Sequence, residues 1–106
     1  MLSEEQRAIV RKARERIANV ENWNGSAFAL DEQGICRSVT DARSVKFSAD
    51  GAILREAIDF YGPTRHAARQ AAGICRILSP EEMLAGRCGG LEGHKVALEL
   101  FDKALV

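Results

Sequence analysis

The chain has 106 residues, 46% of them hydrophobic and 28% charged, with 15 basic residues against 15 acidic ones. That length suits one domain, residues 1–106, whose core needs neither metal nor disulfide to fold. A formal net charge of zero excludes a global field drawing the chain to nucleic acid or membrane, so any such partner must meet a local patch.

No apolar run approaches the roughly 20 residues that span a bilayer, and the opening "MLSEEQRAIVRKARERI" lacks the apolar stretch of a secretory signal. Cys36, Cys75 and Cys88 are odd in number and far apart, which fits reduced thiols better than a disulfide framework. The expectation is a soluble cytoplasmic protein.

Along the chain, Ser3 followed by Gln6 reads as a capping box opening a helix. From Glu4 to Val20 the residues Ile9, Val10, Ala13, Ile17 and Val20 share one face within about 100°. "ENWNGS" breaks that pattern, and Trp23 beside the break is expected as a core plug, since its flanks lack the aromatic and basic neighbours of a base-stacking platform. "AFALDEQGICRSV" gives two short apolar runs around Asp31-Glu32-Gln33-Gly34, the pattern of a hairpin lying against helices.

The helical period returns from Asp41 to about Tyr61, with Thr40 or Asp41 as cap and "YGP" as the stop. A broad apolar arc from Phe47 through Ala49, Ile53, Leu54, Ala57, Ile58 and Phe60 to Tyr61 makes this the central helix, with Ser48, Arg55, Glu56 and Asp59 opposite. Thr64 to Leu78 is an alanine-rich third helix. Ser79-Pro80-Glu81-Glu82 reads as a capped helical turn through Leu84, and after a glycine cluster "HKVALELFDKAL" forms the last helix. The expected fold is mainly α with a small β-hairpin (α+β), four to five helices packed around a central helix 41–61.

Trp23-Asn24-Gly25, the Asp31-to-Gly34 turn and the segment "GAILREA" (Gly51 to Ala57) resemble a family of small uncharacterised bacterial and phage proteins. That family has an early W-x-G, a D-x-x-G turn and a GAL-x-RA-type central helix, and closes with a helix similar to His94, Val96, Phe101, Asp102 and Ala104 here. Phe47-Ser48-Ala49-Asp50 and the glycine cluster depart from its pattern. The resemblance implies a helical fold with a hairpin, a domain of unknown function, and no assigned reaction.

Among candidate sites, "GRCGGLEGHKV" (86–96) fails as a P-loop, because His94 separates Gly93 from Lys95 and Val96 replaces the metal-binding hydroxyl. A looser anion site remains open there, with Arg87 adding charge. Cys88 paired with His94 lacks an orienting group and an oxyanion hole, and His94 falls on the side of Phe101 and Leu105, as a packed histidine would. Scattered Cys36, Cys75, Cys88, His66 and His94 do not make a zinc set. The glycines are thus read chiefly as a helix entry.

Lys46 and Asp50, at i and i+4 if helical, interrupt the apolar arc as an ion pair, or as a site carboxylate held in a cleft. Arg7, Arg11 and Arg14 share a face of the first helix, while Arg65, Arg69 and Arg76 lie within about 40° of arc on the third, with no acid between Pro63 and Pro80. A helix-turn-helix is disfavoured because Glu81 and Glu82 stand where base and phosphate donors belong.

No catalytic residue, metal ligand or cofactor is assigned. The leading expectation is a non-enzymatic interaction or regulatory module for a protein partner or a second copy of itself. The alternative is a binder of phosphate-bearing ligands, nucleotide or nucleic acid, through Arg65, Arg69 and Arg76 or the Arg87 loop, with Lys46 and Asp50 as further candidates.

Overall fold

The structure, a computed structural model, describes residues 2–78 and 90–106. Four α-helices, α1 (Glu4–Ile17), α2 (Ala49–Tyr61), α3 (Arg65–Leu78) and α4 (Gly90–Leu105), accompany a two-stranded antiparallel sheet of β1 (Ala29–Leu30) and β2 (Lys46–Phe47). The fold class is mainly α with a small sheet, as the periodicity implies. The expected turn over Ser79 to Leu84, together with Arg87 and Cys88, lies outside the described residues.

Helix α1 starts with the expected capping box: Ser3 Oγ accepts from the Gln6 amide at 3.2 Å and Gln6 Oε1 from the Ser3 amide at 2.9 Å. It stops at Ile17, three residues short of expectation, because Asn19 caps a separate 3₁₀ turn over Val20–Asn22 and leaves Val20 exposed. The buried stripe of Ile9, Val10, Ala13 and Ile17 faces α2 on one side and α4 on the other. Helix α2 packs against both α1 and α3, which confirms it as the centre of the bundle. Alanines at 49, 52 and 57 of α2 and at 67 and 71 of α3 are all buried, so these helices meet through small side chains.

The central helix is shorter than 41–61. Asp41 caps a tight turn instead, its carboxylate accepting from the Arg43 amide at 2.8 Å and its carbonyl from the Ser44 amide at 3.0 Å. The chain is then extended, and the α-helix begins only after Ser48, whose Oγ accepts from the Gly51 amide at 3.0 Å. Extended Lys46–Phe47 alternates, with Phe47 buried and Lys46 on the other face. Helical periodicity across this join was a coincidence of two patterns that both bury Phe47.

The Asp31-to-Gly34 turn forms as expected. Asp31 Oδ1 accepts from the amides of Gln33 (2.9 Å) and Ile35 (3.0 Å), and Gly34 takes φ +81°, a conformation open to glycine at little cost. The returning arm, however, makes only a single bridge, Leu30 with Cys36, while the strand partner of β1 is β2, with Ala29 opposite Phe47 and Leu30 opposite Lys46. β2 in turn bridges Trp23, so β1 and the segment at Trp23 both pair with one two-residue strand.

The sheet sits on the first turn of α2 through Gly51. A Cβ there would lie 1.8 Å from the Phe28 carbonyl oxygen, so only glycine lets the backbone come this close. Gly62, at φ +87°, ends α2, and Thr64 Oγ1 accepts from the Ala67 amide at 3.3 Å to open α3. Helix α4 begins at Gly90 rather than His94, so the last glycines of the cluster lie inside its first turn.

Candidate functional site: the arginine face of α3 and the charges around it

Helix α3 turns Ala67, Ala71, Ile74 and Leu78 inward, a stripe that leaves the opposite side to solvent. Arg65, Arg69 and Arg76 stand on that side and are all exposed. They span about 16 Å of helix at 1.5 Å per residue. None of the three forms an ion pair with a described residue, and α3 itself contains no acid.

Five arginines elsewhere are used differently. Arg14 of α1 binds Asp102 of α4 through two hydrogen bonds, so the expected α1 arginine stripe loses one member to an exposed contact between the two helices. Arg37 donates to Asp31 Oδ2 at 2.9 Å, Arg43 to Asp41 at 3.0 Å, and Arg55 to Asp59 at 3.1 Å. These partners pull the carboxylates down: Asp31 chiefly by the Ile35 amide and then Arg37, Asp102 by Arg14, and Asp41 to about 2 by Arg43.

Lys46 and Asp50 do not form the ion pair expected of a shared helix. A strand residue and a residue in the first turn of α2 have no i, i+4 relation, and Lys46 instead offers its backbone carbonyl to Asn24 Nδ2 at 3.0 Å. Asp50 turns toward α3, where its carboxylate accepts from the Cys75 thiol. Its Oδ1 is enclosed without a hydrogen-bond partner, and burial raises its pKa. The same burial, with the carboxylate beside it, pushes the Cys75 thiol up to about 12, so it stays protonated and is a poor nucleophile at neutral pH.

A second cluster has no signature along the chain. Arg16, assigned to no site, reaches across to α2 and binds Glu56 Oε2 at 2.6 Å, with Asp59 at 3.9 Å and the Phe47 ring 5.1 Å beneath its guanidinium. Glu56, expected on the solvent side of the central helix, is only 6% exposed. The cluster forms one wall of an open polar cleft of about 650 Å³ with Lys12, Glu15, Asn22 and Ser44. No local pattern could have found it, because the partners are 40 residues apart and only the packing of α1 on α2 joins them.

No family model matches the chain, nor does any curated protein or solved structure.

His94 lies where its periodicity placed it. It is 9% exposed, its ring 5.6 Å from that of Trp23, and its Nε2–H donates to the Ile17 carbonyl at 2.6 Å. Ile17 is the last residue of α1, so the imidazole satisfies a carbonyl that the helix leaves open. Trp23, also 9% exposed, belongs to the core as expected. No group of three or more metal-ligating side chains occurs among the described residues, and no helix among them is long and apolar enough to cross a membrane.

Proposed function

We propose that the protein is a non-enzymatic interaction module that holds an anionic partner on the exposed face of α3. One observation supports this reading above the rest. Arg65, Arg69 and Arg76 line one helix face without an ion pair to any described residue, while Arg14, Arg16, Arg37, Arg43 and Arg55 are each matched to a carboxylate. Aligned guanidiniums offer forked donors suited to carboxylate and phosphate alike.

The same charge argues against a second copy docking face to face. A two-fold axis through this surface would set arginine against arginine. The phosphate-bearing alternative uses the same three side chains, and Arg65 and Arg69, at i and i+4, lie close enough for neighbouring anionic groups.

The test is binding of a labelled polyglutamate peptide and a labelled oligonucleotide at about 50 mM and about 300 mM salt, with wild type and with R65A/R69A/R76A. At least one probe is expected to bind at low salt and weaken as salt rises, with a loss of about tenfold or more in the variant. Binding of neither, or binding indifferent to the three substitutions, would sink the proposal.

A further inference from the structure

The arginine face ends at a group of three aromatic rings, of which Tyr61 packs against the core and Phe60 does not. At the C-terminal end of α2 the Phe60 ring is 50% exposed and meets Tyr61 edge-on, with centroids 4.8 Å apart. Tyr61 meets His66 of α3 edge-on at 4.6 Å. Its hydroxyl donates to Glu5 of α1 at 2.9 Å, which fixes the middle ring. The tight turn through Gly62 joins the two helices here, so Arg65 directly precedes His66 at the head of the arginine row.

From this juxtaposition we infer that the partner is single-stranded nucleic acid, its phosphates tracking along α3 and one or two bases stacking on the Phe60 end. The inference rests on the proposed use of the α3 face and adds the chemical class of the ligand. Three facts favour it over an acidic peptide or a duplex. An exposed ring beside a row of cations matches a strand that alternates π-faces with negative charge, whereas a polyacidic peptide gives the rings nothing to stack on. A duplex hides its base faces, so an aromatic platform reaches only unpaired bases. The carboxylates nearest the rings are also engaged, Glu5 by the Tyr61 hydroxyl and Asp59 by Arg55, which lessens their repulsion of a phosphate chain.

The experiment compares three labelled probes by fluorescence anisotropy at low salt: a strand of about 15 thymidines, an abasic deoxyribose-phosphate strand of equal length, and the polyglutamate peptide. Full-length wild type, F60A and R65A/R69A/R76A are measured, with circular dichroism checking that each is folded. Phe60 is half-exposed, so its truncation leaves the core intact. The thymidine strand is expected to bind about tenfold more tightly than the abasic one, F60A to remove most of that difference, and the triple variant to weaken both. The salt slope for the thymidine strand should be near −2, about 0.7 for each of three phosphate contacts. Equal affinity for the two strands, with F60A unchanged, would overturn base stacking while leaving the anion-binding face standing. Binding of polyglutamate but of neither strand would likewise overturn this inference alone, and failure of all three probes would remove both.

Discussion

A buried carboxylate, Glu56, and a partly buried one, Asp50, show how differently the same acid behaves. Glu56 is met by a guanidinium at 2.6 Å, whereas Asp50 has only a thiol donor and one oxygen with no partner. Removing Arg16 should therefore leave a charge stranded: Arg16→Ala is expected to cost about 2 kcal/mol in urea unfolding, below the cost of breaking a fully buried pair because Arg16 is itself 29% exposed. Arg16→Leu with Glu56→Leu should recover most of that loss. For Asp50 the sign reverses. Its folded pKa lies above its unfolded value, so the folded state binds more protons and stability falls as pH rises through that interval. Asp50→Asn is expected to melt higher than wild type near about pH 7, with the difference closing near about pH 3. A lower melting temperature for the variant at neutral pH would show that the ionised carboxylate is stabilising.

At the scale of elements, α2 is held by contacts that its own periodicity does not reveal. Its first turn accepts the Phe28 backbone over Gly51, and its side carries Arg55, whose Nη1 donates to the Val39 carbonyl at 3.0 Å and ties the long β1–β2 loop down. Gly51→Ala drives a methyl into a main-chain carbonyl that cannot move independently of β1. We expect a loss of about 3 kcal/mol, measured by denaturant unfolding, against the small gain that alanine normally brings inside a helix. A neutral result would mean that β1 and α2 separate readily. Helices α1 and α4 are joined differently, by His94 on the Ile17 carbonyl and by Arg14 on Asp102. The second of these is exposed enough that Arg14→Ala should leave the melting temperature nearly unchanged.

For the whole molecule, acid stability follows from the carboxylates together. Asp31, Asp41 and Asp102 all have folded pKa values below the ordinary 3.8, and Asp41 falls to about 2. A depressed pKa means that the unfolded state binds more protons, so this contribution is fully present above about pH 4 and is lost as pH falls toward about 2. Among the described carboxylates with a shifted pKa, Asp50 runs the other way. Thermal melting should thus weaken steeply below about pH 4, and Asp41→Asn should flatten the fall. A melting temperature that holds steady over that range would contradict the paired geometry of these loops. A zero net charge distributes in the same uneven way: Arg14, Arg16, Arg37, Arg43 and Arg55 pair with carboxylates in loops and between helices, and among the described residues the longest row of arginines without such a pair is Arg65, Arg69 and Arg76 on α3.

Much of this was legible along the chain because it depends on neighbours in sequence. The α1 capping box, the buried stripes of α1 and α3, the Asp31-to-Gly34 turn, the stop at Gly62 and the inward side of His94 all follow from spacing at 3.6 residues per turn or from a side chain reaching its own backbone. The exposed face of Arg65, Arg69 and Arg76 was legible for the same reason. Tertiary packing decided the rest. It drew Lys46–Phe47 out of a helical pattern into a strand, since pairing with β1 satisfies backbone groups that a longer α2 would have to turn away from the sheet. It placed Glu56 under Arg16, set Asp50 against Cys75, and brought Phe60, Tyr61 and His66 to the head of the arginine row. Local spacing fixes which way a side chain faces on its own helix, but what it meets there depends on which helix packs opposite, and that is a property of the assembled core.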